Sequence, residues 1–167
     1  DNRRSRGLGD VYKRQVYICN VDEGSALSGN EFTKKIEDYA KDNNSEVLLI
    51  SAKIESEISQ IVDEKDKQDF LESMGLSETG LKRVIKKGYE ILNYINYFTA
   101  GEKELRAWTI IKGTMAPSAA GTIHSDMEKG FIRAETISFN DYVVNNGESG
   151  AKEKGKLRLE GKEYEVK

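Results

Sequence analysis

Short, continuous apolar runs alternate with stretches of helical spacing over the first half of the chain, and strand-like runs of aromatic and β-branched residues fill the second. VYICN (16–20) and EVLLIS (46–51) are nearly unbroken apolar runs bounded by polar residues, the pattern of strands covered on both faces. Between them, Ser28-Gly-Asn-Glu31 has capping-box spacing and predicts a helix running to about Asn43, with Phe32, Ile36 and Tyr39 or Ala40 facing inward. Strand, helix and strand in that order predict a parallel pair with a covering helix. Three more helices are expected, over Glu55–Val62, over Asp66–Met74 with a stop at Gly75, and over Ser77–Asn93. Around the last of these, Leu81, Val84, Ile85, Leu92 and Ile95 fall at helical spacing and read as core.

Beyond Tyr94, the runs YFTAG, WTIIKG and FIRAETISF read as strands. Ala116-Pro-Ser-Ala-Ala-Gly-Thr-Ile predicts a short helix that packs closely on a sheet, with Pro117 in its first turn. LRLEGKEYEV (157–166) predicts a hairpin around Glu160-Gly161, and the chain stops soon afterwards, as at a cut end. Strands wrapped on one short helix predict a small α+β domain of β-grasp type.

Composition narrows the classes. With 167 residues, 37% hydrophobic and 33% charged, the chain is long enough for one domain or two small ones and is not of disordered composition. No apolar run approaches the roughly 18 residues that span a bilayer, so no membrane role is expected. One cysteine (Cys19) and one histidine (His124) exclude an internal disulfide and any cysteine or multi-histidine metal cage, and a cytoplasmic location is expected. Charge is uneven. Residues 1–15 are net +3, residues 16–93 net −6, and residues 94–167 neutral. The first fifteen therefore read as a leader foreign to the fold or a disordered one, with a basic arm for RNA as the alternative. Wholesale electrostatic capture of nucleic acid is not indicated.

Two stretches have the glycine spacing of a phosphate-binding loop, GSALSGNE (24–31) and GLSETGLK (75–82), but Asn30 and Leu81 occupy the place of its lysine. Neither is a P-loop, and no H-E-x-x-H, G-x-S-x-G or paired-cysteine motif is present. A weaker constellation is more telling. Asn20-Val-Asp-Glu23 follows the first strand and Ser51-Ala-Lys53 the second, which places both at the carboxyl edge where open α/β sheets bind ligands. There, an amide and a carboxylate suit the edge of a base. The bland reading is that Asn and Asp favour strand ends and turns in any case.

NVDE and SAK together resemble the fourth and fifth guanine motifs of translation-factor-class GTPases, and the NVDE form resembles that of the YchF / Obg-like ATPase family. YFTAGEKELRAWTIIKGTMAPSAAGTIHSDMEKGFIRAETISFNDYV and GESGAKEKGKLRLEGKEY are similar to that family's TGS domain. The resemblance covers about residues 16–167. It implies the end of a P-loop G domain of α/β fold over 16–93, then a C-terminally truncated TGS domain of β-grasp (ubiquitin-like) fold over 94–167. The P-loop, switches, Mg²⁺ ligands and helical insertion would all lie upstream. It further implies that Asn20 and Val21 contact the purine, Val21 through its backbone. Glu23 would stand where GTPases keep an aspartate, Ser51 and Ala52 would line the base by backbone groups, and Lys53 would pack over base or ribose. Glu for Asp and Val for Lys should relax guanine selection, so the implied parent binds and hydrolyses ATP, binds GTP more weakly, uses Mg²⁺, and is ribosome-associated and redox- or stress-linked. This chain alone is expected to be inactive. The alternative is a stand-alone TGS module contacting ribosome, RNA or a protein partner.

The remaining candidates have plain readings. Cys19 reads as a small buried hydrophobe, and His124, in the short helix, as a structural or surface residue. Trp108, Phe131 and Phe139 read as core. Arg106, Lys112, Lys129 and Arg133 read as a solvated face, with a phosphate patch as the alternative. Glu55, Glu57, Asp63 and Glu64 read as a solvated helix face.

Overall fold

The computed structural model describes residues 15–101 and 104–167. Apart from Gln15, the basic leader lies outside the described residues. The chain divides between Leu92 and Asn93 into two compact units.

In the first unit, β1 (Val16–Asn20) pairs in parallel with β2 (Glu46–Ile50), in register from Val16 opposite Glu46 to Asn20 opposite Ile50. A short 3₁₀ turn (Glu23–Ser25) and helix α1 (Glu31–Asp42) connect them, as the apolar pattern predicts. The capping box, however, sits two residues later than expected. Asn30, not Ser28, accepts from the N–H groups of Phe32 and Thr33, and Thr33 Oγ1 accepts from Asn30 N–H at 2.8 Å. Gly29 explains the offset: its φ of +69° turns the chain before the helix, leaving Ser28 outside.

The inner face of α1 is corrected in part, Ala40 being buried as expected. Thr33 and Ala40 are buried, whereas Phe32 is 66% exposed and Ile36 and Tyr39 are also exposed. Two small residues seven apart let the helix approach the narrow two-stranded sheet closely. Tyr39 instead meets the edge of Tyr17, with ring centroids 5.9 Å apart.

After β2 come α2 (Ala52–Gln60), α3 (Glu64–Ser73) and α4 (Gly80–Leu92). Helix α2 begins three residues before Glu55. Ile54 and Ile58 from it, with Leu71, Leu76 and Ala26, form the core cluster, and Phe70 and Met74 pack against it. Fully burying each Ile or Leu is worth about 1.5–3 kcal/mol. Gly75 ends α3 as expected: with φ +71° it takes the left-handed cap position, and Leu76 N–H folds back to the Leu71 carbonyl at 2.8 Å.

The stripe assigned to the core on α4 is mostly not there. Leu81 is 63% exposed, Ile85 and Leu92 are exposed, Val84 is half-buried, and Ile95 lies on the following strand. The helix is held by its first turn. Gly80 is buried against Ile50, and the Glu55 carboxylate accepts from Gly80 N–H at 2.6 Å and Leu81 N–H at 3.1 Å. Glu55 is therefore a helix cap rather than a solvated charge. Asp63 is another, accepting from Lys65 and Asp66 N–H at the start of α3, while Glu64 pairs with Lys67.

In the second unit, β3 (Tyr94–Ala100) pairs antiparallel with β4 (Leu105–Ile111). Helix α5 (Ala116–Ile123) carries Pro117 in its first turn, as predicted, and buries Ala116 and Ala119. Tyr97 Oη donates to the Ala119 carbonyl at 2.8 Å, fixing helix to sheet. Helix α6 (Ser125–Lys129), β5 (Ala134–Thr136), α7 (Phe139–Val144), α8 (Glu148–Glu153) and β6 (Arg158–Glu160) complete the unit. The long strand expected over FIRAETISF shrinks to three residues, paired with β6.

The terminal hairpin also differs. A turn does form, with Tyr164 N–H on the Gly161 carbonyl, but the chain beyond it pairs with residues around Met115 instead of returning along β6. Ala116 N–H reaches the Tyr164 carbonyl at 2.8 Å and Val166 N–H the Thr114 carbonyl at 3.0 Å. Glu160-Gly161 signals a turn, but the outgoing arm meets residues about fifty positions away. The described strands form three two-stranded sheets, not one mixed sheet.

Candidate functional site

The parallel pairing of β1 and β2 brings the two sequence-predicted segments to one edge. Val21 N–H donates to the Ile50 carbonyl at 2.8 Å, extending the pairing one step past the strands. Asn20 Oδ1 accepts from Ala52 N–H at 3.0 Å. Ser51 occupies the N-cap of α2 in extended conformation but makes no side-chain cap bond, so Asn20 supplies that acceptor from the neighbouring strand. Lys53, one residue into the first turn, reaches back across the edge to Glu23, with Nζ to Oε1 at 2.5 Å. Asp22 faces its own turn, accepting from Ser25 N–H at 2.9 Å. All six predicted residues, Asn20, Val21, Glu23, Ser51, Ala52 and Lys53, thus cluster at one end of the strand pair, Ser51 being buried there.

The Glu23 carboxylate beside Lys53 holds the lysine above its usual range, mainly through their hydrogen bond. Ser51 is only 4% exposed, and its Oγ is buried without a hydrogen-bond partner among the described residues. The Asn20 amide and the opposed Glu23 carboxylate and Lys53 ammonium form an exposed set of donors and acceptors, with the Ser51 hydroxyl buried beneath them. No cluster of His, Cys, Asp or Glu suited to a metal ion is found among the described residues. The chemistry of this set is compatible with a heterocyclic base, and among the described residues no cluster suited to Mg²⁺ accompanies it.

Below the edge, Arg83 of α4 donates from its guanidinium to the Leu49 carbonyl on β2. Sequence reasoning missed this residue and Glu55. Both act on backbone groups more than twenty residues away, for which spacing along the chain carries no signal.

Elsewhere, Cys19 is half-buried, and burial together with Glu37 pushes its thiol up, away from a reactive thiolate. His124 lies at the junction of α5 and α6 rather than within a helix, and its Nδ1 accepts from Asp126 N–H at 3.2 Å as a cap. Trp108 is half-buried and donates to Thr99 Oγ1 at 3.0 Å, with the Arg106 guanidinium 4.1 Å over its ring. Phe131 is half-buried. Phe139, expected in the core, is 64% exposed and stacks on Phe98, ring centroids 5.6 Å apart.

The fold is that of an α/β unit with an open edge at the carboxyl ends of a parallel strand pair, followed by a unit of small antiparallel sheets. Residues 94–167 match the family model YchF-GTPase_C, described as a protein of unknown function (DUF933). Over 153 residues the chain is 54% identical to the ribosome-binding ATPase YchF of Bacillus subtilis (strain 168), covering 90% of this chain and 42% of that protein. It is 48% identical over 155 residues to the ribosome-binding ATPase YchF of Escherichia coli O157:H7, covering 93% and 42%. The solved structure of the Schizosaccharomyces pombe YchF GTPase superposes with a TM-score of 0.76 at 32% identity, covering 91% of this chain and 40% of that one. The chain is similar to these YchF proteins over about nine-tenths of its own length, and it spans 42% of the length of these curated relatives. No helix among the described residues is long and apolar enough to cross a membrane.

Proposed function

We propose that this chain carries the base-reading edge of a YchF-type nucleotide-binding protein, accepting the purine of ATP and, more weakly, of GTP. The observation that carries this reading is the Asn20–Ala52 hydrogen bond at 3.0 Å, which ties NVDE to SAK across the strand pair. With its oxygen held by Ala52, the Asn20 amide turns its nitrogen into the remaining donor. The Val21 and Ala52 backbones lie beside it, their N–H groups already paired with Ile50 and Asn20, and Lys53 brings an aliphatic stem over base or ribose. When bound, the nucleotide supplies the phosphates on which hydrolysis acts with Mg²⁺. The residues of this chain hold and orient the base, and no hydrolytic step is derived from them.

The relatives' names support association of the whole protein with the ribosome. The second unit is read as a TGS domain of β-grasp type, contacting ribosome, RNA or protein in the cytoplasm. Its Arg106–Trp108 stack and exposed Phe98–Phe139 pair favour a role in binding. A redox-linked role finds no ready carrier in Cys19, whose thiol is pushed up.

The test is an amide-resolved NMR titration of the 167-residue chain with ADP. Shifts centred on Val21, Ala52 and Lys53, weakened several-fold by Asn20→Ala, are expected. Shifts confined to other surfaces contradict the reading. For the second unit, co-sedimentation of the chain with ribosomes should fall with the double change Arg106→Glu, Arg133→Glu, and unaltered sedimentation would oppose that part.

A further inference from the structure

The β3–β4 hairpin carries large apolar side chains on both faces. Its inner face holds Tyr97, which donates to the Ala119 carbonyl, and the buried Ile110, so α5 covers it. The eight positions of the outer face are all exposed. Four of them are Tyr94, Phe98, Leu105 and Ile111, with Leu105 at 70% and Phe98 at 51%. The others are two alanines and Asn96 opposite Thr109, whose hydroxyl donates to the Asn96 amide oxygen at 2.8 Å. An antiparallel pair with one solvated face places apolar residues inward and polar ones outward. Here 33% of the chain is charged, yet no charged residue stands at any of the eight outer positions. Phe139 stacks on Phe98, and Val143, one turn further along α7, extends the exposed apolar surface. At the Tyr94–Ile111 end the face borders a cleft of about 490 Å³, lined beyond them by Ile110, Thr114 and Thr122.

Charge and area select the occupant of such a face. An RNA strand brings phosphates, which need lysine or arginine beside the stacking rings. The outer positions supply neither, and the hairpin's Arg106 lies on the other face, over Trp108. A second copy of the chain would need about 800 Å² from each partner for a stable dimer. The outer face with α7 exposes roughly 500–600 Å², judged from the usual area of such side chains. One amphipathic helix, with apolar anchors at helical spacing, matches both that area and an uncharged surface. We propose that the outer face of the β3–β4 hairpin, with Phe139 of α7, is a docking surface for an amphipathic helix of a partner protein, with one anchor of that helix seated in the cleft beside Tyr94 and Ile111. This rests on the binding role proposed above for the second unit, and it commits that role to a protein of the ribosome rather than to its RNA.

The experiment measures sedimentation of the 167-residue chain with purified ribosomes. Leu105→Lys and Phe98→Lys, made separately, put a cation on the outer face, which weakens apolar docking and strengthens any contact with phosphates. Each should lower the affinity about 10-fold or more, the size of one interface anchor, and Leu105→Met should leave it unchanged. Circular dichroism confirms that each variant is folded, and Leu105, exposed at the start of β4, is the change the fold tolerates best. With p-benzoylphenylalanine in place of Leu105, irradiation should join the chain to a ribosomal protein. If the wild-type chain sediments and the folded Lys variants sediment as well or better, the inference is overturned and the binding role stands. Crosslinks only to RNA, to a second copy or within the chain overturn it in the same way. If the wild-type chain does not sediment with ribosomes, the binding role falls and the inference falls with it.

Discussion

Gly80 and Glu55 show how much can hang on two side chains that the local sequence leaves unremarkable. A Cβ at Gly80 would lie 2.9 Å from Ile50 Cγ2 and 3.0 Å from Glu55 Oε1. Gly80→Ala should therefore lower stability by about 1–3 kcal/mol through overpacking, despite the better helix propensity of alanine. Glu55→Ala should cost a similar amount, about 1–3 kcal/mol, because the Gly80 and Leu81 N–H groups lose a charged acceptor. Chemical denaturation of the two variants checks both, and a Glu55→Ala midpoint equal to wild type would return Glu55 to the solvated face that its neighbours suggest. In the sequence Glu55 is one carboxylate among several on a polar helix, and its partners are 25 and 26 residues away. The placement of the strand-end residues was legible for the opposite reason. Asn20 and Ser51 each end an apolar run, so strand pattern alone puts them side by side.

Helix ends carry the testable physics at the next scale. Ser138 caps α7 twice over, its Oγ accepting from Asp141 N–H at 3.1 Å and donating to Asp141 Oδ2 at 2.7 Å. That hydrogen bond first, and Lys156 after it, hold the Asp141 carboxyl below its usual range. A lowered folded value means the charged form contributes stability above the unfolded pKa of about 3.9, and that contribution is lost as pH falls through the folded value. Ser138→Ala should cost about 1 kcal/mol near neutrality. Its deficit in Tm should narrow below about pH 4 as the carboxyl is protonated and the pairing vanishes. A deficit that stays constant to low pH would place the whole effect in the backbone cap. Elements were legible where one residue settles the matter, as Gly75 does for the end of α3. They were misread where two signals compete. Ser28 and Asn30 are both good caps, and only the left-handed turn at Gly29 decides between them.

Across the whole molecule, the chain is built as two compact units, and the first leaves much apolar surface uncovered. Phe32 and Leu81 are the clearest cases. Phe32→Glu and Leu81→Glu should change stability by no more than about 0.5 kcal/mol, as exposed positions do, while reducing concentration-dependent light scattering. A large loss of stability instead would mean these side chains are buried in solution. Periodicity marked them as core because an apolar stripe says that a face wants covering, not that it is covered. The parallel strand pair, the order of the helices and the change of texture near Tyr94 were all readable, since each depends on local pattern. How the later strands pair was not, because β6 and the Met115 bridge depend on long-range register. The central claim is that the edge joining Asn20 to Ala52 reads a purine. Intermolecular NOEs in the chain saturated with ADP test it most directly. The account predicts cross-peaks from the adenine C2 and C8 protons to Val21, Ala52 and the Lys53 methylenes. Cross-peaks to side chains of the second unit, with none at this edge, would contradict it.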